Sequence, residues 1–169
     1  DFWMKPGRQD FYIRSILDHC IVRIGAYLPV DYDPARAYPA VLVLATGNEG
    51  TYCDELDVEN LLEHSLCFDI TGRGFTGGSY TGLASIMEIW RWISGRFRID
   101  EDRVYMMGGS NGGYATYALA QNIPHLAAAV CPMISYPQMR TIRNLSNTPT
   151  YTFVSGQDHI FARNKNEVK

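Results

Sequence analysis

Ser110 stands in the run Val104, Tyr105, Met106, Met107, Gly108, Gly109, Ser110, Asn111, Gly112, Gly113. It reads as a strand, a sharp turn with the serine at its apex, and the start of a helix, which fits the G-x-S-x-G nucleophile pattern. A serine hydroxyl is a weak nucleophile until a base removes its proton, so a reactive serine must be lifted clear of its own backbone to where an imidazole can reach it. Glycines serve that geometry. Gly108 and Gly112 let neighbouring segments approach the bend where any Cβ would obstruct them, and Gly113 lets the following helix pack close to the sheet. The flanks agree: β-type residues lead in at 104–107, and Tyr114, Ala115, Ala118 and Leu119 then form an apolar stripe at helical spacing. An ordinary Gly/Ser turn is the plain alternative.

A serine nucleophile on this kind of turn needs an acid and then a histidine further along the chain. Between Arg103 and Asp158 there is no aspartate or glutamate, so Asp158 is the acid candidate. It follows the strand-like 150–154 and a turn at 155–156, where a carboxylate would project from the same sheet edge as Ser110. A loop-capping Asx turn is its structural alternative. The base is not evident. His19 borders an early strand, and His64 ends a helix that should have carried the chain away from the catalytic edge. His125 lies about fourteen residues past the helix start, hence roughly 20 Å from the serine. His159 adjoins Asp158, and neighbouring side chains of an extended segment point opposite ways. All four read plainly as polar residues facing solvent, and the catalytic histidine is expected beyond Lys169, because the chain stops in the charged stretch 163–169 without a closing strand and helix.

Gly72, Arg73, Gly74, Phe75, Thr76, Gly77 spells G-x-G-x-x-G directly after a strand, the dinucleotide-binding fingerprint. That fingerprint works only if its glycines open a helix at once under a pyrophosphate. Here Gly77, Gly78, Ser79, Tyr80, Thr81 and Gly82 prolong a loop, and helical periodicity begins near Leu83. No acidic residue ends the next strand, at Met107 and Gly108. A loop over the carboxyl edge of a sheet explains these glycines better, and no cofactor is expected.

The elements that must position this chemistry alternate between strand and helix, the pattern of a mostly parallel sheet with helices on both faces. Residues 20–28 are strand-like; 40–45, AVLVLA, read as a strand buried on both faces; 46–50 form a loop. Val58, Leu61 and Leu62 mark a short helix, and 66–70 another strand. Ile86, Ile89, Trp90, Ile93 and Phe97 share one helical face, from which Trp92 departs. Two more strands fall at 127–131 and 150–154, the latter expected to leave an apolar edge open to association. At 169 residues, 46% hydrophobic and 20% charged, the chain suits one domain spanning 1–169. A net charge of −3 without like-charge blocks offers no case for nucleic acid or an anionic membrane, so the expected partner is a small molecule or peptide. Cys20, Cys53, Cys67 and Cys131 are too dispersed for a metal site and read as buried free thiols, a disulfide being the alternative. No apolar run is long enough to span a membrane, and residues 1–8 do not resemble a signal peptide.

These features together resemble the α/β-hydrolase superfamily, in the branch of prolyl oligopeptidase catalytic domains, dienelactone hydrolases, feruloyl esterases and acetyl esterases. The resemblance is carried by Tyr27, Leu28, Pro29, then Tyr38 and Pro39 before the apolar strand, the segment DITGRGFTGG from Asp69 to Gly78, Ile99, Asp100, Arg103, Val104 and Tyr105 before the serine, and Gly156 with Asp158. It implies a three-layer α/β/α sandwich truncated before its last strand and helix, with Ser110 as nucleophile and Asp158 as triad acid. It also implies an oxyanion hole from the backbone N–H of Asn111 and one of Gly47 or Asn48, each donor worth about 2.7–4 kcal/mol. Arg73 would be a structural arginine tying loops together. Two departures stand out: Thr46-Gly47 replaces the family's frequent His-Gly, and the turn before Asp158 is one residue short. The implied reaction is acyl transfer to Ser110 and hydrolysis, esters favoured over peptides, and the rival reading is a catalytically silent hydrolase fold that binds without reacting.

Overall fold

The computed structural model describes residues 4–44, 64–71, 73 and 76–155. Strands β1 (Gly7–Arg14), β2 (Ile21–Leu28), β3 (Tyr38–Leu44), β4 (Leu66–Ile70), β5 (Ile99–Gly109) and β6 (Ala129–Met133) form one sheet in the order β1-β2-β4-β3-β5-β6. β2 runs antiparallel to both β1 and β4, while the β4-β3, β3-β5 and β5-β6 pairs are parallel. The mostly parallel α/β architecture expected from the alternating pattern is the one observed.

Helix α1 (Tyr80–Ser94) and helix α2 (Asn111–Asn122) follow β4 and β5. The main core joins Leu42, Leu44, Phe68, Ile70 and Met106 of the sheet to Ile86, Ile89 and Ile93 of α1 and Ala115 and Leu119 of α2. The opposite face of the sheet buries Tyr27, Val41, Val43 and Cys67. β3 and β4 are therefore buried on both sides, which is why 40–44 and 66–68 read as apolar runs rather than alternations, Asp69 being the buried polar exception in β4.

One strand gives no signal in the sequence, and two expectations need correction. Strand β1 carries only Phe11 and Ile13 inward among polar residues, too short an alternation to announce itself. Its Phe11 explains Trp92, which packs against Phe11 at 5.3 Å and Phe97 at 6.4 Å between ring centres, with the Arg96 guanidinium 4.4 Å over the indole. Helix α1 starts at Tyr80, three residues before its apolar periodicity, because the Ser79 hydroxyl accepts the Gly82 N–H at 3.2 Å and caps it. Of the described cysteines, Cys67 is buried, Cys131 partly so, and Cys20 is exposed on the β1–β2 turn, contrary to the expectation of a buried thiol. The elements placed at 46–50 and around 58–62 lie outside the described residues, as does Cys53.

Candidate active site

β5 ends at Gly109 and α2 begins at Asn111, so Ser110 is the whole of the turn between them. Its backbone has φ 53° and ψ −118°, a region that L residues seldom occupy. Such a conformation costs on the order of 1–3 kcal/mol and persists only where the surroundings impose it. They do. The Ser110 N–H donates to the Met133 carbonyl at 3.0 Å, and the Ser110 carbonyl accepts from the Tyr114 N–H at 3.0 Å. Ser110 holds the N-cap position, yet its side chain makes no capping hydrogen bond. The residue is partly exposed, and its hydroxyl is left for another use.

Backbone crowding shapes the turn. A Cβ on Gly108 would lie 2.6 Å from the Leu44 carbonyl oxygen and 2.6 Å from the Gly112 carbonyl carbon, so the ends of β3 and β5 and the first turn of α2 meet backbone to backbone. On Gly113 it would lie 2.5 Å from the Met133 carbonyl oxygen, and on Gly77 it would lie 2.3 Å from that of Asn111. A Cβ on Gly109 would meet nothing within 4 Å. Asn111 opens α2, where the first backbone N–H groups have no intrahelical acceptor and the helix dipole presents its positive end.

Arg73 leads into α1 and holds three segments together. Its Nε donates to Ser85 Oγ of α1 at 3.0 Å, and its Nη1 pairs with the Asp18 carboxylate on the β1–β2 turn. The same turn is fastened to α1 by Glu88, which accepts from Ser15 Oγ at 2.7 Å and the Ile16 N–H at 2.6 Å. Asp18 also accepts from the Cys20 N–H, and that bond, with the Arg73 contact, holds its carboxyl below the usual carboxylate range. Sequence reasoning missed Asp18, Ser85 and Glu88, since separations of 55, 12 and 73 residues from their partners leave no local signal.

Three histidines are described. His64 precedes β4, at the edge where the parallel strands begin, opposite Ser110. His125 lies past the far end of α2. His19, with φ 61°, shares the edge of Ser110 but sits on the β1–β2 turn, three strand spacings or about 14 Å from β5. Gly47, Asn48, Asp158 and His159 lie outside the described residues. Among the described residues no group of three or more His, Cys, Asp or Glu is placed to hold a metal, and no helix is long and apolar enough to cross a membrane. A cleft of about 340 Å³ runs along the first turns of α2, with Gly78, Asn111, Tyr114, Tyr117, Tyr136 and Gln138 among its lining residues; Ser110 itself does not line it.

The fold is that of the α/β hydrolases. A thermostable esterase superposes with TM-score 0.80 at 19% identity, over 95% of this chain and 49% of its own. A feruloyl esterase module from Clostridium thermocellum, solved with sinapinate, gives 0.76 at 12% over 96% and 72%, and an S-formylglutathione hydrolase from Staphylococcus aureus 0.75 at 13% over 96% and 84%. The chain thus spans about half the length of the thermostable esterase. No curated protein matches the sequence. A profile of the prolyl oligopeptidase family, Peptidase_S9, matches residues 79–167, just over half of the chain, and the chain belongs to that family.

Proposed function

We propose that residues 1–169 are one α/β-hydrolase domain and that the complete protein is a serine hydrolase using Ser110 as its nucleophile. The observation that carries this reading is the Ser110 backbone at φ 53° with a hydroxyl that does not cap its helix. Strain at a residue whose side chain serves no local structural end is what a presented nucleophile requires. Ser110 Oγ attacks the carbonyl carbon as its proton passes to a histidine base, with Asp158 holding that imidazole in the right tautomer. The carbonyl oxygen takes the negative charge and is met by the Asn111 N–H at the positive end of α2 and by an N–H of Gly47 or Asn48. Collapse expels the leaving group, protonated by the imidazolium, and water then frees the acid from the serine.

Within this class the substrate is a carboxylic ester in preference to a peptide. The esterases among the structural relatives favour that choice, while the family name leaves room for peptide cleavage. Labelling the complete protein with a fluorophosphonate tests the nucleophile. An adduct mapped to Ser110, and absent in Ser110→Ala, is the expected result; an unlabelled wild type, or a variant labelled as fast as the parent, ends the reading.

A further inference from the structure

β1 ends the sheet, with β2 as its one neighbouring strand among the described residues. An edge strand offers a row of backbone N–H and C=O groups to any chain able to pair with it. Which residues of β1 offer theirs follows from the hairpin. The Ser15 N–H donates to the Cys20 carbonyl at 2.9 Å, continuing the register that pairs Arg14 with Ile21, so Ser15 turns its backbone groups toward β2. Hydrogen-bonded and non-hydrogen-bonded pairs alternate along an antiparallel ladder, so Arg14, Tyr12, Asp10 and Arg8 turn theirs outward. The side chains of these same residues leave the face opposite Phe11 and Ile13. On that face Tyr12 is 65% exposed, and Ile21, across from Arg14, is 58% exposed.

Natural edges are commonly guarded by charge, and a guard of one sign repels its own copy in every register. β1 carries both signs. Keeping the outward groups in phase leaves few long registers for antiparallel pairing of β1 with itself. Asp10 against Asp10 sets like charges opposite each other, and Asp10 against Tyr12 does so too by bringing Arg8 against Arg14. Arg8 against Asp10 faces Tyr12 with Pro6, which has no N–H to give. With Tyr12 on the twofold axis, Asp10 of each copy meets Arg14 of the other, and both charge pairs are complementary. Arg14 already donates from Nη1 to the His19 carbonyl at 3.0 Å, and Asp10 accepts from Arg23 at 2.7 Å. A guanidinium has five N–H donors and a carboxylate about four lone-pair sites, so each can serve the second copy as well. We propose that β1 is a homodimer contact, in which two copies pair their β1 strands antiparallel about a twofold axis through Tyr12 and join their sheets into one. Tyr12 with Tyr12, and Asp10 with Arg14 on either side, exchange the N–H···O bonds, while Phe11 meets Ile13 of the second copy on the other face. A contact between identical patches closes at two copies.

The test is sedimentation equilibrium of the complete protein, as wild type, Tyr12→Pro, Arg14→Asp and Asp10→Arg. Proline is tolerated in an edge strand where the N–H faces solvent, so Tyr12→Pro spares the β1–β2 ladder and removes the donor at the axis. The wild type should be a dimer and Tyr12→Pro a monomer. Arg14→Asp and Asp10→Arg should each raise the dissociation constant about tenfold or more, since like charges then stand opposite each other. An equimolar mixture of the two should recover dimers, because each variant meets the opposite charge on the other. A monomeric wild type overturns the proposal. So does a dimer that Tyr12→Pro leaves intact, which places the contact elsewhere, such as at the 150–154 edge. If Tyr12→Pro does not fold, the charge variants decide, and a mixture no more dimeric than its components overturns the pairing.

Discussion

Ser79 and Ser110 each stand just before a helix, and they use that position in opposite ways. Ser79 has an ordinary extended backbone, φ −75° and ψ 160°, and its hydroxyl accepts the Gly82 N–H. Ser110 has φ 53° and ψ −118°, and its hydroxyl accepts nothing from α2. A serine before a helix is by default a cap worth about 1 kcal/mol. At Ser110 that stabilisation is forgone and strain is added. The two turns touch, since the segment ending in Ser79 leans through Gly77 on the Asn111 carbonyl. The capped serine makes a firm wall; the uncapped one is held against it.

If backbone crowding imposes the Ser110 conformation, removing the room for it should be the most damaging change. Gly108→Ala places a methyl 2.6 Å from two backbone atoms that cannot turn aside. It should cost about 3 kcal/mol, lowering Tm by roughly 6–12 °C. Gly109→Ala, with nothing within 4 Å, should be neutral or stabilising by up to about 1 kcal/mol. Thermal melts of the two variants compare them directly, and equal losses would show that crowding is not what bends the chain.

The serines themselves should respond with opposite signs. Ser79→Ala removes a cap and should cost about 1 kcal/mol, or roughly 2–4 °C in Tm, while leaving fluorophosphonate labelling near the wild-type rate. Ser110→Gly suits a positive φ and should raise stability by about 1 kcal/mol while abolishing labelling. A Ser110→Gly protein that melts below the wild type would mean that the hydroxyl does structural work.

The Ser110 half of this contrast is legible in the sequence, and the reason is local. G-x-S-x-G compresses strand, turn and helix into a few residues, so the bend, its glycines and the helix stripe are neighbours in the chain. Ser79 was passed over because Tyr80, Thr81 and Gly82 carry no apolar period, although the close approach of Gly82 to the Thr76 carbonyl gives that weak start its purpose. β1 was hidden because two inward residues in eight do not make a pattern, and with it went the explanation of Trp92. What could not be read at all is the clamp of Asp18, Ser15 and Glu88, in which ordinary polar residues acquire roles only through contacts made more than fifty positions away.

That clamp is the gentlest way to probe the wall behind the two serines. Arg73 carries the tension from the β1–β2 turn to the start of α1, with its side chain 15% exposed, while Asp18 is 44% exposed and thus open to screening. The folded state holds the Asp18 carboxyl below its ordinary value, first through the Cys20 N–H and then through Arg73. A carboxylate depressed on folding stabilises above its unfolded pKa, and that contribution disappears as pH falls through the folded value. Asp18→Asn should therefore melt slightly below the wild type at pH 7, and the two curves should merge below the ordinary carboxylate range. Added salt should narrow the gap at pH 7 as well, because an exposed pair is screened within a Debye length of about 10 Å at 0.1 M. A gap that persists unchanged at pH 3 and in high salt would assign the effect to the shape of the turn rather than its charge, and the wall behind Ser110 would then be purely a matter of backbone packing.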